Sequence, residues 1–191
     1  SLLVEKDAKE SIDLYDRDWL CFSFKTLLST MEDIYAASSR GYLLLLCLDN
    51  IESFVEKQGS EGALFIIRNF ISRLKEAFAT HEVYMYNRST IGVLFPRAGH
   101  AEIIDRCERI YNLSKEPFLD SGKEDFLKLT YLPYGYPRGY ANPIDFFSHV
   151  EEHYSNRALT RGRDYIYFHN HSISCPAHIY NCNLQIGRAH V

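Results

Sequence analysis

Two stretches decide the fold: Tyr42-Leu-Leu-Leu-Leu-Cys-Leu-Asp49 and Val83-Tyr-Met-Tyr-Asn-Arg-Ser-Thr-Ile-Gly-Val-Leu-Phe-Pro96. The first is a continuous apolar run of strand length without alternation, the pattern of a central strand buried on both faces. The second reads as two short strands joined by a polar turn at Asn87-Arg88-Ser89-Thr90, with Ile91, Val93 and Phe95 on one face and Pro96 stopping the second strand. Between the two, Ser60 opens a helical pattern in which Leu64, Ile67, Ile71, Leu74 and Phe78 recur three and four apart. Gly59 just before it suits a tight turn.

Working outward, Asp18 reads as the N-cap of a helix carrying Phe24, Leu27, Met31 and Tyr35 on one face, ended by Ser38-Ser39-Arg40-Gly41. Residues 101–114 form a third helical pattern with Ile103, Cys107 and Ile110 inward and Glu102, Asp105, Arg106 and Arg109 outward. A strand region over 126–136 ends at Pro137. Asn142 then caps a helix with Pro143 at its first position and Phe147, Val150, Tyr154 and Ala158 inward. Residues 164–168 read as a last short strand. The alternation predicts an α+β sandwich of ferredoxin-like type, a central, mainly antiparallel sheet flanked by helices.

Residues 18–168 are expected to be one domain, 1–17 a linker or the end of an upstream helix, and 169–185 a tail. The chain begins at Ser1 without Met, so further residues are expected upstream. The closing Ile186-Gly-Arg-Ala-His-Val191 reads as an in-frame translation of a sequencing adapter, with an ordinary polar tail as the alternative.

At 191 residues, 46% apolar and 14% aromatic, the chain has ample material for a packed core. A net charge of −4 gives no basic footprint for nucleic acid. No apolar run is long enough to span a bilayer and no signal peptide is evident, so a cytoplasmic location without membrane contact in this stretch is expected. The five cysteines, Cys21, Cys47, Cys107, Cys175 and Cys182, are scattered and read as reduced thiols. His169-Asn-His171, Cys175-Pro-Ala-His178 and Cys182 cluster near the C-terminus without a recognised zinc-site spacing, and a disordered tail is the favoured reading.

Strand, helix and Pro-terminated hairpin in this order resemble the centre of a GGDEF domain, the catalytic module of diguanylate cyclases. The resemblance covers roughly residues 18–168 and implies a nucleotidyl cyclase-type palm. The family turn Gly-Gly-Asp/Glu-Glu-Phe falls on Asn87-Arg88-Ser89-Thr90-Ile91. The family's Asp-x-Asp-x-Phe strand end falls, without gaps, on Cys47, Asp49 and Ile51; its following Asn on Val55, its Gly-His glycine on Gly59 and its later Asp on Leu64. Its Ser-Ile-Gly-Val-Ala-x-Tyr-Pro strand falls on residues 130–137, and its Ala-Lys-x-x-Gly-Arg-Asn segment on Ala158-Leu-Thr-Arg-Gly-Arg-Asp164.

The framework survives, and the resemblance implies that the chemistry is lost. Joining two GTP molecules needs divalent metal to neutralise phosphate charge and lower a hydroxyl pKa, and Mg²⁺ needs hard oxygen ligands. The family's metal positions fall on Cys47 and Ser89, and the neighbouring acidic position on Thr90; a thiol suits softer metals. Asn87 and Arg88 place side chains where glycines let phosphates approach. The guanine-reading positions are Val55 and Leu64, and an unpaired base edge costs on the order of 1–3 kcal/mol for each lost partner. The family's inhibitory Arg-x-x-Asp falls on Phe78 and His81. Asp49 and Glu52 read as a solvated loop and a helix start, not as metal ligands.

The expectation is therefore a domain with no catalytic residue, no metal and no cofactor. It would act as a regulatory or interaction module in bacterial cyclic di-GMP signalling or a related sensor protein, with a protein partner or self-dimerisation through neighbouring domains. Two alternatives stand beside it. One is a nucleotide receptor for GTP or cyclic di-GMP, with Arg88 and Arg163 as candidate phosphate-binding forks. The other is an unrelated ferredoxin-like domain that senses a small molecule.

Overall fold

The computed structural model describes residues 14–118, 126–155, 165–167 and 174–176. Its elements are β1 (Tyr15–Asp16), β2 (Cys21–Phe22), α1 (Phe24–Ala36), β3 (Gly41–Leu48), α2 (Ile51–Ala77), β4 (Val83–Asn87), β5 (Thr90–Pro96), α3 (His100–Ser114), β6 (Leu129–Tyr136), α4 (Pro143–Ser155), β7 (Tyr165–Tyr167) and β8 (Ser174–Pro176). The strands form one sheet in the order β1-β2-β4-β5-β3-β6-β7-β8. Only β2–β4 and β6–β7 pair in parallel. This is the mainly antiparallel α+β sheet that the alternation predicts.

All eight residues of β3 are buried, because the strand is paired on both edges and covered on both faces. Leu44, Leu46 and Leu48 face the layer made by α2 and α3, packing with Ile67, Phe70, Ile71, Ile103 and Cys107. Leu43, Leu45 and Cys47 face the opposite layer, with Leu27 and Met31 of α1 and Phe146, Phe147 and Val150 of α4. Each fully buried Leu contributes about 1.5–3 kcal/mol of transfer free energy, so this one strand nucleates both halves of the core.

Several boundaries differ from those expected. The N-cap of α1 is Ser23, whose side chain accepts from the Thr26 N–H. Asp18 instead lies in the turn between β1 and β2, where Asp16 Oδ1 accepts from the N–H groups of Asp18 and Trp19 at 3.0 and 2.8 Å. That local turn competes successfully with helix capping. Thus β1 lies within the stretch expected as a linker, and β8 within the stretch expected as a tail. The helix expected from Ser60 is present as the second half of α2: Gly59, at φ 76° and ψ 174°, a conformation open to glycine alone, separates it by a kink from an additional first half that begins at Ile51. At α4 the expected cap is present: Asn142 Oδ1 accepts from the Asp145 N–H at 2.9 Å. No helix among the described residues is long and apolar enough to cross a membrane.

Candidate functional site

The β4–β5 turn brings the expected signature positions to one end of the sheet. Register places Cys47 of β3 between Thr90 of β5 and Thr130 of β6. The three side chains form a row of hydroxyl, thiol and hydroxyl toward the α1/α4 layer, each 0% exposed. The two positions where the resemblance puts metal ligands are thus occupied by a core thiol, Cys47, and by Ser89 in the turn.

The turn is closed on itself by hydrogen bonds. Asn87 Oδ1 accepts from the Ser89 N–H at 2.9 Å and from its hydroxyl at 3.1 Å, an Asx turn that holds the chain without glycine. Asn87 Nδ2 donates to the Tyr154 hydroxyl at 3.0 Å, and that hydroxyl also shares a hydrogen bond with Thr90 Oγ1 at 2.7 Å. A neighbouring Tyr86 hydroxyl donates to Glu151, and its pKa is raised by burial first and then by that carboxylate. Helix α4 therefore covers the turn with phenolic oxygen. Tyr154 was expected only as an inward-facing helix residue; the 64 residues separating it from Thr90 left no local signal of this contact.

Arg88 is 72% exposed at the tip of the turn, and its guanidinium pairs with Asp18 at 3.3 Å and Asp16 at 3.7 Å. Any anion meeting Arg88 competes with these two carboxylates. Arg163, the second candidate fork, lies outside the described residues, as do Ala158 and the His/Cys cluster apart from the backbone of β8. Of the two positions where the resemblance puts guanine-reading residues, Val55 is exposed in the first half of α2, and Leu64 packs partly buried against the core in the second.

Asp49 is more engaged than a solvated loop residue. Its Oδ2 accepts from the Thr130 hydroxyl and its N–H donates to Lys128 O at 2.9 Å. Asn50 continues the connection, its amide bonding Phe126 O at 2.8 Å and the Lys128 N–H at 2.9 Å. These bonds fix the entry to β6 against the exit of β3. Glu52 lies in the first turn of α2, as expected of a helix start. Among the described residues, no group of three His, Cys, Asp or Glu side chains is arranged to hold a metal ion.

Comparison with solved structures identifies the architecture. The GGDEF domain of FimX from Pseudomonas aeruginosa matches with a TM-score of 0.68 at 15% identity, covering 78% of this chain and 96% of that one. The coiled coil and GGDEF domain of DgcB from Caulobacter crescentus, in complex with c-di-GMP, matches with a TM-score of 0.68 at 14% identity over 88% of this chain and 92% of that one. A microbial GGDEF domain described in a novel interaction mode with cyclic di-GMP matches with a TM-score of 0.67 at 11% identity, over 82% and 99%. The chain has the fold of GGDEF domains. No family model matches the sequence, and no curated protein matches it.

Proposed function

We propose that this chain is a catalytically inactive GGDEF-type regulatory or interaction module in cyclic di-GMP signalling. The observation that carries the reading is the Thr90–Cys47–Thr130 row beneath a turn closed by Asn87 and Tyr154. Two-metal phosphoryl chemistry requires anionic oxygen ligands at the positions the resemblance marks, and the Cys47 thiol and the Ser89 and Thr90 hydroxyls that stand there do not supply them. A domain that keeps its sheet and core without this chemistry acts by contact, either with a partner or with a second copy through neighbouring domains. The GGDEF neighbours support this reading over that of an unrelated ferredoxin-like sensor.

The test is incubation of the purified chain with GTP and Mg²⁺ or Mn²⁺, followed by chromatography for cyclic di-GMP. No product is expected. Product formed at a rate proportional to the chain, and lost in a Ser89→Ala variant, would overturn the reading.

A second reading, a nucleotide receptor without cyclase activity, draws support from the neighbours described with c-di-GMP. Calorimetric titration with cyclic di-GMP and GTP separates the two readings. Micromolar binding abolished by Arg88→Ala or Arg163→Ala would favour the receptor, and silence with both nucleotides leaves the interaction module.

A further inference from the structure

At the end of the sheet opposite the β4–β5 turn, the start of β3 and the ends of β5 and β6 frame an open cleft of about 410 Å³. Three arginines line it: Arg40, Arg97 and Arg138. In a chain of net charge −4 this is a local concentration of positive charge, and among the described residues no carboxylate lines the cleft. Among the described residues, neither Arg40 nor Arg97 takes part in an ion pair. A backbone hydrogen bond of 2.8 Å from the Arg97 N–H to Arg40 O ties the two bases together. Arg97 itself adopts φ 61°, a left-handed conformation that a side chain enters at some cost. Arg138 is held from the third side, its guanidinium donating to the Tyr42 hydroxyl at 2.6 Å and lying 5.5 Å from the Tyr42 ring centroid.

A further feature borders the same space. The 15-residue α3 begins at the cleft with Gly99 as its N-cap, and no side chain caps its first N–H groups. An uncapped helix start presents donors and a partial positive charge, although Glu102 in the first turn offsets part of that charge. Tyr136, 2% exposed, also lines the cleft, with its hydroxyl buried against Gly41 in the layer of α1 and α4.

We infer that this cleft is a binding site for a phosphoryl anion, either free phosphate or the phosphate of a small phosphorylated metabolite. Arg40 and Arg97 supply exposed guanidinium forks, Arg138 a pre-positioned one, and the start of α3 supplies neutral donors. The site is separate from the β4–β5 turn and is independent of whether that turn binds nucleotide.

Isothermal titration of the full chain with inorganic phosphate, pyrophosphate and guanosine monophosphate tests it. Saturable binding of at least one probe is expected, weakened by about tenfold or more in the Arg40→Ala/Arg97→Ala double variant. Both arginines are exposed, so the variant should keep the wild-type melting temperature. Arg88→Ala at the far end of the sheet should leave the binding unchanged. Tighter binding of the monophosphate than of phosphate assigns a metabolite, and equal binding assigns the phosphoryl group alone. No binding by any probe, or binding that survives the double variant, overturns the inference.

Discussion

Tyr154, next to last in α4, and Thr90, the first residue of β5, are joined hydroxyl to hydroxyl at 2.7 Å. The bond fastens a helix to the mouth of a hairpin, and Asn87 completes the clasp from the other strand. Thr90 is fully buried, so its hydroxyl depends on this partner. Tyr154→Phe should lower stability by about 1–2 kcal/mol, read as a lower urea midpoint at unchanged m. Thr90→Val in the Tyr154→Phe background should cost less than Thr90→Val alone, because the two hydroxyls are coupled. Strict additivity of the two substitutions would show that the clasp contributes nothing.

Cys47 is a position where the resemblance puts a metal-binding carboxylate. Here its side chain lies between Thr90 and Thr130, on the face that packs against Leu27 and Met31. Cys47→Asp would place a carboxylate at a fully buried position, at a cost of several kcal/mol. The variant should melt well below the wild type and still make no cyclic di-GMP, since Ser89 and Thr90 remain. A gain of cyclase activity from this one change would refute both the proposed inactivity and its structural cause.

The sequence made the sheet legible because β3 and the β4–β5 hairpin carry unambiguous patterns: seven apolar residues in a row from Tyr42 to Leu48, and Ile91, Val93 and Phe95 ended by Pro96. The helices were legible from their three-and-four spacing, and Asn142-Pro143 announced α4 directly. The hairpin of β1 and β2 was missed because two-residue strands have no periodicity; it exists through an Asx turn at Asp16 and the burial of Trp19. At the candidate site the thiol of Cys47 and the hydroxyl of Ser89, where the resemblance puts metal ligands, could be read by position. What fills the place could not: Tyr154 reaches Asn87 and Thr90 only through the fold, and Asp16 and Asp18 meet Arg88 across 70 residues or more. The arginine cleft was hidden for the same reason, since Arg40, Arg97 and Arg138 are far apart in sequence and are averaged away in the net charge.

Gly41 begins β3 under tight cover. A Cβ there would stand 2.6 Å from Phe95 O and 2.5 Å from the Tyr136 hydroxyl. The backbone cannot retreat, because Gly41 is paired with Pro96 on one side and Tyr136 on the other. Gly41→Ala should destabilise by about 1–3 kcal/mol through overpacking. Gly41→Ala in a Tyr136→Phe background removes one of the two close contacts and should recover part of the loss. Full tolerance of Gly41→Ala, seen as an unchanged melting temperature, would show that the Phe95 carbonyl can move aside.

Two histidines set the acid side of the stability profile. His81 is held below its usual 6.5 by burial, with Arg106 adding to the shift, and it packs 4.9 Å from the Phe95 ring. His153 is lowered by burial and then by His149, while its Nδ1 meets the Tyr134 hydroxyl at 2.7 Å. In both cases the fold favours the neutral ring, so the unfolded chain binds protons more readily. Their contribution to stability is therefore complete above about pH 6.5 and is lost as the pH falls through the lowered folded values. The melting temperature should drop between about pH 7 and pH 5, before most carboxylates titrate. His81→Gln and His153→Gln together should flatten that drop, even if they lower stability at neutral pH. An undiminished slope in the double variant would assign the acid sensitivity to other groups.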